Sequence, residues 1–195
     1  MSSVSAVMPF RCSRCGASYE ATAYRMIDAR TDPSLKEKVK DGSIFIRECP
    51  SCGCRELIGG PVIYRDSRLL VCLSDRRLSV EGLDEMQGRL VSDVGSLIEK
   101  VKIFDAGLDD VPLEFCKFVT RQELGKTVEL KFLRLEGADN DIIFTYPDAG
   151  AMQLLSVGFN VYEDCCGIVR RNPGISAGLQ GLVKVDREWV EQFLA

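Results

Sequence analysis

Two cysteine pairs with identical spacing constrain this chain more than any other feature of its sequence. Cys12 and Cys15 form one CxxC unit, Cys49 and Cys52 form a second, and a glycine follows each unit. Two intervening residues allow one tight turn to direct both sulfurs at a single metal ion, and the glycine can adopt the positive φ that such a turn requires. Four thiolates complete a tetrahedral shell with no open position, which is typical of a structural metal site rather than a catalytic one.

The chain of 195 residues contains no histidine, which narrows the chemistry further. Its absence excludes Ser-His-Asp triads, Cys-His dyads and every zinc site that uses imidazole. We therefore predict one structural zinc ion, held by Cys12, Cys15, Cys49 and Cys52. Iron in the same four-thiolate geometry stays an alternative, because ligand type alone does not separate the two metals. Thiol–disulfide chemistry is a second alternative, although a thioredoxin-like CxxC would lie at a strand-to-helix junction and both pairs here fall between predicted strands.

The other five of the nine cysteines have less specific surroundings. Cys54 could replace its neighbour in the metal shell, but the repeated spacing favours a residue just outside it. Cys72 and Cys116 fall on apolar stripes and are predicted to be small core residues. Cys165 and Cys166 are predicted at a loop–strand boundary, as ordinary thiols rather than a strained disulfide or a redox sensor.

Composition and charge set the class of protein. With 46% hydrophobic and 28% charged residues, the chain has the composition of a soluble globular protein. Residues 1–80 carry 13 basic and 9 acidic side chains and residues 81–195 carry 12 and 20, for a net charge of −4. This bias is too weak for the electrostatic footprint of a nucleic-acid-binding surface. Because we find no secretory signal and no apolar run able to cross a bilayer, we expect a cytoplasmic protein with no membrane partner.

Local patterns predict a zinc ribbon with one inserted helix over residues 10–80, after a flexible tail at residues 1–9. Asp32 and Pro33 start the inserted helix and Gly42 ends it. The predicted elements of this part are a strand at 17–29, a helix at 34–40, a strand at 44–46 and a hairpin of 57–64 with 69–73.

Residues 81–195 are predicted to form an α+β domain in which an αα-hairpin packs on an antiparallel β-sheet. Apolar residues at three- and four-residue steps predict a helix at 86–104. Asp109 or Asp110 caps a second helix, which ends before Gly125. The prediction continues with strands at 128–133, 142–144, 152–162 and 167–171, a loop after Pro173 and a helix capped by Asp186.

Several segments together resemble the CpXC family, which is named for its two cysteine pairs and occurs largely in bacteria and archaea. The resemblance covers roughly residues 10–75 and is carried by FRCSRCG at 10–16, DPSLKEKV at 32–39, DG at 41–42 and CPSCG at 49–53. Residues 104–110, with the sequence FDAGLDD, resemble a segment that follows the domain in some such proteins. Ser13 departs from the proline that is usual there. Because the family is functionally uncharacterised, the resemblance implies zinc and a fold but no activity.

Three other patterns have simpler structural explanations. One acidic group could hold Mg²⁺ or act as general acid and base, and it consists of Asp105, Asp109 and Asp110. Helix capping accounts for these residues without further assumption. The glycine-rich segment 174–181 lacks the Lys-Ser/Thr of a P-loop. The arginine doublets at 76–77 and 170–171 have no aromatic run beside them and are predicted to be solvated.

These observations favour a binding or adaptor module with a structural zinc site over an enzyme. We expect its partner to be another macromolecule, a protein rather than a nucleic acid, because residues 81–195 are acidic. One alternative is a thiol redox sensor that releases zinc on oxidation. A second alternative is a zinc ribbon that binds nucleic acid. A metal-dependent enzyme would need chemistry in the acidic loop or in a pocket within residues 105–185.

Overall fold

The computed structural model of this protein describes residues 2–74 and 86–194 and shows a mixed α+β fold, as the sequence predicts. The chain divides into two compact units, residues 1–98 and 99–195. The predicted domain boundary between residues 80 and 81 falls within 75–85, outside the described residues, and stays a prediction. Across the described ranges, every helix is too short or too polar to span a lipid bilayer.

The first unit consists mainly of strands. Its strands are β1 (Val4–Arg11), β2 (Ser18–Asp28), β3 (Ile46–Glu48), β4 (Arg55–Leu57), β5 (Val62–Arg65), β6 (Leu69–Leu73) and β7 (Gln87–Val91). A helix, α1 (Ser34–Lys40), and a 3₁₀ turn at Ser43–Phe45 separate β2 from β3. Helix α2 (Val94–Asp105) crosses the division between the two units.

Five strands of the first unit are hydrogen-bonded in the order β1-β2-β5-β6-β7. The neighbours β1/β2 and β5/β6 are antiparallel, whereas β2/β5 and β6/β7 are parallel. Strand β6 is buried along its whole length, and both of its faces are covered. This burial explains why its sequence is a continuous apolar run without alternation. Strands β3 and β4 form a separate antiparallel hairpin.

Helix α1 begins and ends where the sequence predicts. The Asp32 carboxylate accepts the backbone N–H of Ser34 at 3.1 Å and so satisfies a donor that the first helical turn leaves free. Leu35 and Val39, one turn apart, bury one side of the helix. In sequence, the helix thus lies between β2, which follows the first cysteine pair, and β3, which precedes the second.

The second unit joins helices to a three-stranded antiparallel sheet. Its elements are α3 (Asp110–Leu124), β8 (Lys131–Glu136), β9 (Asp141–Asp148), β10 (Ala151–Val157), α4 (Phe159–Arg171), α5 (Pro173–Ala177), β11 (Leu182–Val183) and α6 (Arg187–Glu191). The sheet order is β10-β9-β8, and both α4 and α6 pack against α3. Asp109 caps α3 by accepting the Val111 N–H at 3.0 Å, and Asp186 caps α6 by accepting the Trp189 N–H at 3.0 Å. Packing of α2 and α3 as a hairpin on this sheet stays a prediction.

Two predicted segments near the first sheet are wrong. Residues 1–9 are not a flexible tail from Val4 onward, because β1 pairs with β2 and that pairing satisfies its backbone groups. The helix predicted at 86–104 starts only at Val94, and the residues before it form β7 in a parallel pair with β6. A strand that is buried on both faces carries apolar residues without strict alternation. Its apolar residues can therefore match a helical spacing by coincidence, as they do here. The Asp93 carboxylate accepts the Ser96 N–H at 2.7 Å and marks the start of the helix.

The segment after β10 also differs from its prediction. The predicted strand at 152–162 is observed as β10 only as far as Val157, and residues 159–171 form α4 in place of its end and of the strand at 167–171. Cys165 and Cys166 therefore lie within a helix rather than at a loop–strand boundary. The aromatic and β-branched residues of this segment favour a strand by composition. Burial of Tyr162 and Cys165, three residues apart, favours the helix instead. The predicted loop after Asn172 is the short helix α5, which places its proline at a position that helices tolerate.

Candidate metal centre

The turn between β1 and β2 carries the first cysteine pair. The Cys12 N–H donates to the Ala17 carbonyl at 2.9 Å, and the Gly16 N–H donates to the Cys12 carbonyl at 3.0 Å. Gly16 has φ of +74°, a conformation that costs glycine little and other residues more. The sequence prediction of a positive φ after the first pair is confirmed.

The turn between β3 and β4 repeats this arrangement around the second pair. The Cys49 N–H donates to the Cys54 carbonyl at 2.9 Å, and the Gly53 N–H donates to the Cys49 carbonyl at 2.9 Å. Gly53 has φ of +66°. Each cysteine pair therefore lies at the tip of a β-hairpin, and the two tips have the same hydrogen-bond pattern.

The two tips bring four sulfurs together. The four Sγ atoms all lie within 4.8 Å of one another, and they belong to Cys12, Cys15, Cys49 and Cys52. Sulfurs of different pairs approach closely, to 3.6 Å between Cys12 and Cys52 and to 3.7 Å between Cys15 and Cys49. Sulfurs at the corners of a tetrahedron with metal–sulfur bonds of about 2.3 Å lie about 3.8 Å apart. The cluster therefore has the size of a four-thiolate shell, and this size is common to zinc and iron.

The ionisation of the thiols depends on their backbone contacts and on one another. Backbone N–H groups, first that of Cys15, lower the pKa of the Cys12 thiol to about 6 against the opposing effect of burial. The backbone at Cys54 acts in the same direction on Cys52, but burial and three neighbouring thiols outweigh it and raise the pKa of Cys52 to about 12. One thiolate is thus stable among protonated neighbours, whereas a second meets like charge. Four thiolates at this spacing require a cation.

A carboxylate outside the cluster joins the two hairpin tips. The Ser13 N–H in the first turn donates to Glu56 Oε1 in β4 at 3.1 Å, and hydrogen bonding from the side chain and then the backbone of Ser13 lowers the pKa of Glu56. The other oxygen of Glu56 lies 3.6 Å from Nε of Arg47, its cross-strand neighbour in β3. The Arg47 guanidinium in turn lies 4.2 Å from the ring centre of Phe10. The sequence analysis missed Glu56, because an isolated acidic residue on a strand gives no signal.

Access to the four thiols is uneven. Cys12 and Cys49 are buried, Cys52 is half-buried and Cys15 is exposed. Cys54 is half-buried and does not belong to the cluster of four. The geometry therefore favours Cys52 over Cys54 as the fourth member.

The remaining cysteines lie in cores. Cys72 on β6 and Cys116 on α3 are fully buried, as predicted. Cys165 on α4 is buried beside Cys116, and the hydrogen bond between their thiols lowers the pKa of Cys165 and raises that of Cys116. Cys166 is half-buried, and burial raises the pKa of its thiol.

The acidic group of the sequence analysis has structural roles. Asp109 caps α3, as capping predicts, and Asp110 lies 2.7 Å from the Lys100 ammonium in an ion pair. Asp105 ends α2. Within the described ranges, the four-cysteine cluster is the one group with the geometry of a metal site. The doublet at 76–77 lies outside the described residues, and the doublet at 170–171 ends α4.

Comparison with protein families gives one match. The model of the family described as "CpXC protein" matches residues 10–117, more than half of the chain. The match extends past the cysteine pairs and through the segment 104–110, which the sequence analysis also singled out. No curated protein and no solved structure matches the chain.

Proposed function

Since the chain belongs to the CpXC family, we propose that it is a metal-binding module whose two hairpin tips hold one structural zinc ion. The proposed ligands are the thiolates of Cys12, Cys15, Cys49 and Cys52. The observation that carries this proposal is the separation of 3.6 and 3.7 Å between sulfurs of different pairs. A bound zinc ion would supply the positive charge that four thiolates require and would join the two hairpins.

A structural role follows from the donor set. Four thiolates leave no coordination position for water or substrate, so the ion would fix the fold instead of performing chemistry. The two hairpin tips with α1 between their arms correspond to a zinc ribbon with an inserted helix. Zinc rather than iron is our choice because structural sites of this composition most often hold zinc.

We propose that the module binds a macromolecular partner, a protein rather than a nucleic acid. Large apolar side chains are exposed on strands of both units: Val7 on β1, Leu57 on β4, and Met152 and Leu154 on β10. Met152 and Leu154 are two residues apart and so lie on one face of a strand at the edge of its sheet. Exposed apolar residues at a sheet edge are typical of protein interaction sites and not of phosphate-binding surfaces.

Redox sensing is a second candidate, supported by the exposure of Cys15. An exposed thiol beside a partner sulfur at 3.7 Å can be oxidised, because two thiols and one peroxide yield one disulfide and two waters. Loss of two thiolates would release the metal. Stoichiometric zinc release on peroxide addition, with one new disulfide in the mass spectrum, would support this role.

Elemental analysis of the purified full chain tests the metal proposal. We expect one zinc per chain in the parent protein and none in the variants Cys12→Ser and Cys49→Ser. The matched control is Cys54→Ser, which removes a neighbouring thiol outside the cluster and should keep one zinc. Full zinc in Cys49→Ser, or its loss in Cys54→Ser, would contradict the ligand set.

Fluorescence anisotropy with labelled DNA and RNA oligonucleotides tests the choice of partner. We expect weak binding that does not change with salt concentration. A steep fall in affinity with rising salt would indicate phosphate contacts and would favour the nucleic-acid alternative.

A further inference from the structure

A small cleft in the second unit is lined by cationic side chains. It has a volume of about 280 Å³ and lies at the C-terminal end of α3, between the residues that follow this helix and the start of α6. Its walls include Phe118 and Arg121 of α3, Lys126 and Thr127 just after the helix, and Arg187 of α6. The volume is close to the lower end for small-molecule sites, about 300 Å³, so the cleft suits a small ligand or one functional group.

Arg121 carries a charge that the described residues do not neutralise. Its side chain and backbone together are only 8% exposed, and its buried Nη2 has no hydrogen-bond partner. No carboxylate among the residues that the structure describes forms an ion pair with this guanidinium. Burial of a charged group costs free energy because the group loses its contacts with water. No ion pair within the described residues compensates for this cost at Arg121.

The nearby carboxylates are engaged elsewhere. Glu114, two turns earlier on α3, pairs with Lys117 at 2.8 Å and lies 3.5 Å from the Lys100 ammonium. Glu191 pairs with Arg187 at 2.6 Å, and Asp148 pairs with Lys126. Of the three cationic side chains that line the cleft, Lys126 and Arg187 are in ion pairs and Arg121 is not.

The pKa of Arg121 is consistent with a guanidinium that has no ion-pair partner among the described residues. Burial lowers its pKa most and the like charge of Arg187 lowers it further, while the charges of Glu114, Glu191 and Glu129 oppose this effect without outweighing it. Elsewhere in the protein an exposed arginine pairs at two points with a buried carboxylate, since Arg30 contacts both oxygens of Asp28 at 2.9 and 2.6 Å. Arg121 lacks such a two-point partner.

We propose that this cleft binds an oxyanion, a phosphoryl or carboxyl group of a small ligand, with Arg121 as its principal contact. Guanidinium presents two parallel N–H groups that match two oxygens of either anion. Lys126 and Arg187 add positive charge at the walls, Thr127 offers a hydroxyl, and the half-buried ring of Phe118 offers an apolar surface for the rest of the ligand. The bound anion supplies the counter-charge that the chain omits.

Titration of the full zinc-loaded chain with phenyl phosphate and with benzoate tests this site by calorimetry. The two probes share a ring and differ in their anionic group. We expect saturable binding of at least one probe with Kd in about the millimolar range. Tighter binding of phenyl phosphate would assign a phosphoryl ligand, and tighter binding of benzoate would assign a carboxyl ligand. Absence of binding for both would overturn the proposal.

Variants separate a binding role for Arg121 from a structural one. Arg121→Met should weaken probe binding at least about tenfold without lowering the melting temperature, because it removes a buried charge that has no partner. Arg134→Met is the matched control, since Arg134 is an exposed arginine on β8 that pairs with Glu136, and it should leave probe affinity unchanged. Unchanged affinity in Arg121→Met would contradict the proposal. So would a fall in melting temperature without any effect on binding, which would mean that Arg121 serves only the end of α3.

A second variant covers the case in which Arg121→Met does not fold. Arg187→Gln alters the α6 wall of the cleft at a residue that is half exposed. We expect it to weaken probe binding several-fold while the protein stays folded. Full affinity in Arg187→Gln would overturn the proposed site.

Discussion

Two clusters of ionisable side chains, one in each unit, obtain their counter-charge in different ways. The cluster of the first unit contains four thiols and no cationic side chain. The cluster of the second unit contains carboxylates and ammonium groups in contact, and its members are Glu99, Lys100, Asp110, Glu114, Lys117 and Lys131. Under the proposed function a bound ion would supply the counter-charge of the first cluster, whereas the chain itself supplies both charges of the second.

The distances within the second cluster show how complete this neutralisation is. The Lys117 ammonium lies 2.6 Å from Glu99 and 2.8 Å from Glu114. The Lys100 ammonium lies 2.7 Å from Asp110 and also donates to the Val185 carbonyl at 2.8 Å. Although burial by itself lowers the pKa of Lys117, the adjacent carboxylates outweigh it and raise that pKa. The charges of the second cluster are thus paired within the chain itself.

Metal removal should produce the largest loss of stability, and this loss should be confined to the first unit. Structural zinc contributes about 10–16 kcal/mol to folding in zinc-finger peptides, so a chelator should expose the backbone of the first unit. We expect fast hydrogen exchange in peptides covering residues 10–57 and retained protection in α3, measured by mass spectrometry with and without chelator. The fluorescence of the single tryptophan, Trp189 in α6, should report an intact second unit. Equal loss of protection in both regions would contradict the comparison.

Lys117→Met should produce the second-largest effect, confined to the second unit. It leaves two buried carboxylates, Glu99 and Glu114, without their closest cation. We expect a loss of about 3–5 kcal/mol in the free energy of unfolding, measured by urea denaturation with Trp189 fluorescence. Lys126→Met is the control, since it breaks an exposed pair with Asp148 and should change stability little. Similar losses in both variants would mean that the buried ion pairs contribute no more to stability than an exposed pair does.

The pH dependence of the second unit should show a plateau with two edges. The ammonium groups of Lys117 and Lys100 outweigh burial and lower the pKa of Glu114, so its contribution to stability is present above the unfolded value of about 4.3 and is lost as pH falls toward the folded value. The pKa of Lys117 is raised, so its contribution is complete below about 10.4 and is lost as pH rises further. Urea denaturation between about pH 6 and 7.5, below the range of about 8.5 in which unfolded thiols ionise, should give a constant free energy of unfolding. A slope near neutral pH would contradict the assigned charge states.

Asp109→Ala should produce the smallest loss of stability, because Asp109 lies outside the buried ion-pair cluster. Asp109 adjoins Asp110 in sequence but caps α3 through the Val111 N–H. We expect a loss of about 1 kcal/mol, the usual value for a helix cap, in the same urea assay. A loss as large as that of Lys117→Met would show that Asp109 belongs to the buried network.

The sequence predicts the cluster of four cysteines because its signal is local. The spacing of each CxxC pair and its glycine specifies a turn, and two such turns are enough to expect one site. Capping residues are local in the same way, so the bounds of α1 and the cap of α3 at Asp109 are also predicted correctly, although the N-cap of α1 is Pro33 and not Asp32.

The features that the sequence does not predict depend on distant contacts. Strand β7 carries helical spacing, and only its pairing with β6 shows that it is a strand. The charged residues of α2 and α3 look solvated in sequence, because charged side chains are rarely buried. Their burial follows from mutual pairing, for example between Lys100 and Asp110, fixed only when the helices meet. Arg121 gives no sequence signal either, since its lack of a partner is a property of the folded unit.

The most direct test of the central claim is X-ray absorption at the metal edge of the protein purified with its metal. The account predicts a zinc ion with four sulfur neighbours at about 2.3 Å and no nitrogen or oxygen in the shell. The same spectrum is expected for Cys54→Ser, because that thiol lies outside the cluster. An iron edge, a shell with an oxygen or nitrogen ligand, or a changed spectrum in Cys54→Ser would contradict the closed four-thiolate zinc site.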